Sequence, residues 1–225
     1  NSGAFIDAMK WHMRSLHMGA LYGAMNELSN HDHSRFLTRT NRRVGRISYA
    51  GAEAASLNIN PAIMREAVVI QMTWPGAPTV YYGDEAGVCG FTDPDNRRTY
   101  PWGKEDLTML EFHRRMIRIH KRYPVLSGGS LEFLWNDYQG LSYGRFSDRE
   151  QIVVILNNQE YERDVHVTAW KTGISRKEAT IFRRLMLSWK DGYTEESEEY
   201  TAEAGILHIQ IPAYGVIVLH HEEDK

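Results

Sequence analysis

The feature that most limits the fold is a change of texture near Ser127-Gly128-Gly129. Before it, apolar residues recur at helical spacing with short β-rich runs between them. After it come seven or so short strand-like runs separated by Gly, Asn and Asp. Alternating helix and strand signals imply an α/β arrangement, and a succession of short strands implies an antiparallel sandwich or similar all-β domain. A chain of 225 residues is long enough for both. The sequence therefore predicts an α/β portion over residues 1–126 and a β-domain over residues 127–225.

Local signals fill in this outline. Residues 5–17 read as a helix with Phe5, Met9, Met13 and Leu16 on one face. Residues 21–28 fit either a helix end or a strand. Asn60-Pro61 supplies an N-cap and a first-turn proline. The helix expected over 62–73 carries Ile63, Met64, Ala67, Val68, Ile70 and Met72, an arc too wide for a surface helix. Trp74-Pro75-Gly76-Ala77-Pro78 breaks it, and residues 79–82 read as a short strand before Gly83. Asp106 is placed to cap a long helix through Arg122, with Met109, Phe112, Met116 and Ile119 toward a core. Strands are expected over 131–134, 141–146, 152–156, 165–168, 185–188, 207–211 and 216–219, the sixth alternating cleanly as a half-buried antiparallel strand should. The acidic stretch 194–199 reads as a solvated loop and 220–225 as a frayed end.

Composition excludes several function classes. The formal net charge of -3 offers no basic surface, so no nucleic-acid partner is expected. The longest apolar runs, such as Ile152-Val153-Val154-Ile155-Leu156, are strand-sized, so no membrane partner is expected. Cys89 is the single cysteine, which rules out an intrachain disulfide and a thiolate zinc cluster and fits a cytoplasmic protein. The chain opens Asn1-Ser2-Gly3 without an initiator methionine and reads as a piece of a larger protein. Its 6 Trp, 12 Tyr and 7 Phe suffice for large cores and for flat platforms under sugar rings, the core being the default for any one of them.

Two short stretches concentrate the chemistry: Asn30-His31-Asp32-His33-Ser34-Arg35 and Asp93-Pro94-Asp95-Asn96-Arg97-Arg98. Charge this dense between apolar segments is costly to fold around unless it binds something. Sugars suit it, having many hydroxyls and a cationic transition state on cleavage. In the first stretch, a carboxylate beside imidazole and guanidinium groups can stay ionised and bond ligand hydroxyls; the competing reading is a helix cap made by Asp32 or Ser34. His31 and His33 are metal-ligand types, but no further ligand accompanies them, so no metal centre is expected. In the second, Asp93 and Arg97 lie four apart, close enough to serve one ligand or simply to pair with each other and staple the loop.

These stretches, with the intervening Gly76-Ala77-Pro78-Thr79-Val80-Tyr81-Tyr82-Gly83-Asp84-Glu85-Ala86-Gly87 and the following Tyr100-Pro101-Trp102, resemble the α-amylase family (glycoside hydrolase family 13). The nearest likeness is to its neopullulanase and cyclomaltodextrinase branch. The resemblance covers nearly the whole chain. It implies the C-terminal portion of a (β/α)8 TIM barrel, its last two βα units, followed by an antiparallel β-sandwich, with no cofactor. It further implies retaining cleavage of α-1,4-glucosidic bonds in starch-like glucans, pullulan or cyclodextrins, so that an α-glucan oligosaccharide is the expected partner. By the same resemblance Asp32 stabilises the oxocarbenium-like transition state and His31 donates to ring hydroxyls. Asn30 and Arg35 join them in the substrate-binding motif, and Asp93 and Arg97 hold a neighbouring glucose on the non-reducing side.

Retaining glycosidases also need a nucleophile and a general acid/base about 5 Å apart. No stretch here matches the family's Gly-x-Arg-x-Asp motif or its acid/base glutamate; Glu27, Glu53 and Glu66 lie outside any such motif. The chain is therefore expected to be inactive alone, the other reading being an isolated carbohydrate-binding or assembly module. Two barrel units leave sheet edges and apolar surface uncovered, so self-association of the isolated chain is also expected.

Overall fold

The computed structural model describes residues 1–43 and 45–223. They form two compact units. One gathers residues 25–72 and 78–118; the other gathers 1–24, 73–77 and the chain from 119 onward. Among the described residues, no helix is long and apolar enough to cross a membrane.

In chain order the first part runs α1 (Ser2–Arg14), α2 (Met18–Gly23), β1 (Met25–Glu27), α3 (Phe36–Arg39), α4 (Ile47–Ala50), α5 (Pro61–Thr73), β2 (Ala77–Thr79), α6 (Leu107–Arg122) and α7 (Val125–Gly128). Asn1 Oδ1 accepts from Ala4 N at 2.8 Å, which starts α1 earlier than its apolar spacing suggests. Leu16 falls beyond the end of α1 and is exposed. Residues 21–28 resolve into both expected alternatives, the end of α2 and then β1.

The cap of α5 forms as expected: Asn60 Oδ1 accepts from Ala62 N at 2.9 Å and Ile63 N at 3.3 Å. Only Pro61, Ile63 and Ile70 in this helix escape burial, so even Arg65, Glu66 and Gln71 lie inside. Gln71 uses its depth: Nε2 donates to Asn26 O at 3.1 Å and Thr79 O at 2.8 Å, tying the helix to both strands of the two-stranded β1–β2 sheet. β2 begins and ends earlier than the β-rich residues 79–82 suggest. Gly83, at φ +88°, turns the chain there and Val88 N donates to Gly83 O at 2.9 Å, which leaves Val80 and Tyr82 exposed in the turn region. Asp106 caps α6, accepting from Met109 N at 3.0 Å, and Met109, Phe112, Met116 and Ile119 are buried as expected.

The second part holds nine strands: β3 (Ser130–Asn136), β4 (Gly140–Phe146), β5 (Glu150–Asn157), β6 (Arg163–Val167), β7 (Thr180–Trp189), β8 (Gly192–Thr194), β9 (Glu199–Glu203), β10 (Ile206–Ile211) and β11 (Gly215–Glu222). They pair in one ladder, β3-β4-β5-β11-β7-β9-β10-β6, with β8 on β7. Leu134 of β3 and Val165 of β6, from opposite ends of that ladder, share a core with Val153, Phe182, Ile209 and Ile217. The sheet is therefore folded over its own interior in the manner of a sandwich, and the chain has the expected α/β plus all-β class. β5 is buried without a break from Gln151 to Asn157, which explains its continuous apolar run.

Three expectations for this part are corrected. Residues 194–199 are not all loop, because Glu199 opens β9. The end is not frayed from 220, since His220 and His221 pair with β5 and Glu222 ends β11; residues 224 and 225 lie outside the described residues. β7 spans ten residues rather than four, because Arg183 and Arg184 continue its alternation. Arg184 points inward and donates to Glu196 O at 3.0 Å and Tyr200 Oη at 3.3 Å, so its charge does not end the strand.

Candidate functional site

All six expected site residues lie in the unit formed by residues 25–72 and 78–118. The first loop follows β1. Asn30 Oδ1 accepts from the backbone N–H groups of Asp32 (2.9 Å) and His33 (3.1 Å), a side-chain turn that stops the chain from continuing as a strand. Asn30 Nδ2 donates to Glu27 Oε1 at 2.6 Å. The curl leaves His31 and Asp32 beside each other, Nε2 to Oδ1 at 3.4 Å, with side chains 60% and 67% exposed. Neither Asp32 nor Ser34 caps α3; Ser29 Oγ accepts from Phe36 N at 2.9 Å instead. A carboxylate that open, with an imidazole at its side, is free to take hydroxyl donors from a ligand.

Arg35 does the opposite and turns into the protein. It is completely buried. Its Nε donates to Asn96 O at 2.9 Å, and Nη1 donates to Tyr82 O at 2.6 Å and Asp84 Oδ1 at 3.1 Å. The guanidinium plane rests against the rings of Tyr81 and Tyr82, with Cζ 4.0 and 4.8 Å from their centroids. Burial pushes the Asp84 carboxyl up from its ordinary value, against the pull of Ser29 and Arg35. Desolvation outweighs attraction here, as is common for interior ion pairs.

The second loop presses back on the first. A Cβ on Gly90 would lie 2.5 Å from Asp95 O and 2.9 Å from Asn96 Cα, so no other residue fits where the loop returns. Gly90 N donates to Thr38 Oγ1 at 2.8 Å, and Gly90 O accepts from Arg35 N at 2.9 Å, which joins this loop to α3. Asp95 is buried and accepts from Phe91 N (2.8 Å) and from both Nε and Nη2 of Arg98 (2.9 Å each). Asp93 and Arg97 remain outside and pair with each other, each about half exposed. Hydrogen bonding to Asp93 raises the Arg97 guanidinium further above its ordinary value, and Tyr81 and Asp32 add to this through space.

The family model for the alpha-amylase catalytic domain matches residues 4–192. The chain belongs to the α-amylase family. The amylopullulanase of Thermoanaerobacterium thermosulfurigenes is 29% identical over 222 residues, 92% of this chain and 11% of that protein. Neopullulanase 2 of Thermoactinomyces vulgaris is 33% identical over 158 residues, 68% of this chain and 24% of that protein. The alpha-amylase of Geobacillus thermoleovorans, solved in complex with acarbose, has TM-score 0.69 at 20% identity over 91% of this chain and 40% of its own. A maltogenic alpha-amylase of Thermotoga neapolitana has TM-score 0.70 at 18% identity, over 98% of this chain and 46% of its own. These two likenesses speak for the fold: an α-amylase barrel portion and its antiparallel β-domain. The chain spans about a tenth to a quarter of the length of these curated relatives.

Within this α-amylase fold, four of the six expected residues, His31, Asp32, Asp93 and Arg97, present their side chains to solvent on two interlocked loops. The other two are engaged with the protein itself. Asn30 spends its amide on its own turn and on Glu27, and Arg35 has no exposed surface. The sequence reading missed Asn96, Asp84 and Asp95, which hold the loops from beneath. All three stand within the quoted motifs but were given no role, because nothing in their spacing marked them as buried. Among the described residues, no group of three or more His, Cys, Asp or Glu side chains is placed to hold a metal ion.

Proposed function

We propose that this chain works as part of a longer glycoside hydrolase that cleaves α-1,4-glucosidic bonds with retention in starch-like glucans, pullulan or cyclodextrins. The observation that carries this reading is the open Asp32 carboxylate, flanked by His31 on a loop bonded through Asn96 to the one that bears Arg97, in a chain of the α-amylase family. Asp32 would stabilise positive charge as it develops at the anomeric carbon, and His31 would donate to ring hydroxyls. Asp93 and Arg97 would exchange their mutual pairing for the hydroxyls of a neighbouring glucose. Asn30 and Arg35, given where their polar atoms go, would shape the loops rather than touch the sugar. The relatives named amylopullulanase and neopullulanase support the substrate class.

The test is to incubate the full-length protein with pullulan, soluble starch and a cyclodextrin and follow reducing ends, with the first anomer released read by proton NMR. Release of the α-anomer is expected. No turnover on any of the three, or first release of the β-anomer, would overturn the reading.

Three narrower readings go with it. The isolated 225-residue chain is inactive, because it carries no match to the family's nucleophile or acid/base motif; turnover that Asp32→Asn abolishes would refute this. Residues 1–126 are the barrel portion and 127–225 the β-domain, in a protein of the cytoplasm, where a lone buried Cys89 stays reduced. The isolated chain self-associates, because a portion of a barrel leaves apolar surface uncovered and Met25 in β1 is 66% exposed. Light scattering showing a clean monomer at tens of micromolar would rule that out.

A further inference from the structure

One buried side chain connects the two loops at the point that matters for chemistry. Asn96 has no exposed surface and sits in the short 3₁₀ turn Asp95–Arg97, immediately before Arg97. Its Nδ2 donates to Asn30 O at 3.1 Å and to His33 O at 2.8 Å. Those carbonyls bracket the dipeptide His31-Asp32. From the other side, Asn30 Oδ1 accepts from the N–H groups of Asp32 and His33. The backbone under Asp32 is thus held by two amides, one from its own loop and one from the loop that bears Asp93 and Arg97. The orientation of the Asn96 amide is dictated by its surroundings, since two carbonyls can only be met by the nitrogen. Its Oδ1 is then buried without a hydrogen-bond partner among the described residues, a cost that an apolar filler would not carry. Arg35 completes the arrangement by donating Nε to the backbone carbonyl of Asn96.

We propose that Asn96 is a positioning residue for glucan cleavage: it sets Asp32 at a fixed place relative to Arg97, so that a sugar seated on Asp93 and Arg97 aligns its neighbour against Asp32. This rests on the glycoside hydrolase reading above. Asn96 touches no substrate and acts through the backbone of residues 30–33. Misplacing a reacting group by a fraction of a bond length is enough to lose one to two orders of magnitude in rate.

In the full-length protein, Asn96→Ala should lower kcat on maltooligosaccharides about ten- to hundredfold while KM changes less than about threefold. Asn96→Asp, which keeps the shape and turns acceptors toward the two carbonyls, should lose at least as much. The deciding measurement is a double-mutant cycle: in an Asp32→Asn background, Asn96→Ala should cost little more, because the group it positions is already gone. Independent, multiplying losses would mean that Asn96 acts only on general stability and would overturn the proposal, as would an unchanged kcat. If Asn96→Ala does not fold, Asn30→Ala removes the other brace without opening a buried hole and must show the same kcat loss and the same absorption by Asp32→Asn. Hydrogen exchange of the Asp32 and His33 amides gives a reading independent of activity. Acceleration in Asn96→Ala, or in Asn30→Ala where that is the folded variant, with the β-domain unchanged, supports the clamp, and no acceleration refutes it. A wild type that cleaves no α-glucan would refute the functional reading while the exchange result still decides the role of Asn96.

Discussion

One loop of this molecule carries two acid–arginine pairs that look alike in sequence and differ in almost everything else. The Asp93 and Arg97 side chains are 53% and 48% exposed and pair with each other, whereas the Asp95 side chain is 3% exposed and spends both oxygens on Arg98 and on the Phe91 N–H. The outer pair sits in water, where screening and side-chain entropy leave it worth little to the fold, so a ligand can replace either partner cheaply. The inner pair is what gives the loop its shape. Arg35 extends the contrast: it has the same side chain as Arg97, completely buried, and its guanidinium is held by Asn96 O, Tyr82 O and Asp84. Charge exposed to solvent is free to exchange its partner; charge beneath it sets the geometry in which the exposed groups stand.

The comparison can be broken most forcefully at its buried end. Arg35→Met should destabilise the protein by about 3–5 kcal/mol in urea unfolding, because it strands the Asp84 carboxylate in the interior. Adding Asp84→Leu should recover part of that loss, since the pair replaced as a unit leaves no orphan charge. A single variant as stable as the wild type would show that water reaches Asp84. Next comes Asp32→Asn in the full-length protein, expected to reduce kcat by the equivalent of about 3–4 kcal/mol with an unchanged melting temperature. A change confined to KM would make Asp32 a ground-state binder only. Asp95→Ala should cost about 1–3 kcal/mol of stability, through the lost fork to Arg98 and the stranded Phe91 N–H. Smallest in stability, Arg97→Ala should leave the melt where it was and act instead on KM for longer oligosaccharides. A stability loss matching that of Asp95→Ala would erase the distinction between the two pairs.

Helices and strands were legible wherever the signal is periodic. α6 was read with its cap and its buried face, and α5 with its near-complete burial, because both follow from spacing along one segment. β5 was read from its apolar run. Strands were shortened or missed where charge interrupts the pattern: the arginines of β7 concealed most of its length, and in Glu199–Glu203 only Ala202 is buried, so the acids around it read as loop. At the site, the residue types were legible and their depths were not. Asn30 and Arg35 were expected to touch ligand because they stand in the same short stretch as His31 and Asp32, yet the Asn30 amide and the Nε and Nη1 of Arg35 are spent on the protein.

What sequence could settle, then, was whatever depends on near neighbours: the period that makes α5 and α6, the caps of Asn60 and Asp106, and the concentration of charged and imidazole groups in two short loops. Tertiary structure decided which of those groups are offered to solvent. Asn96 meets Asn30 and His33 across 66 and 63 residues, and Arg35 meets Asp84 across 49. Those meetings depend on Gly90 letting the second loop fold back to within contact of the first. Burial is a property of where distant parts of the chain come together, so a residue's own neighbours in sequence do not carry it.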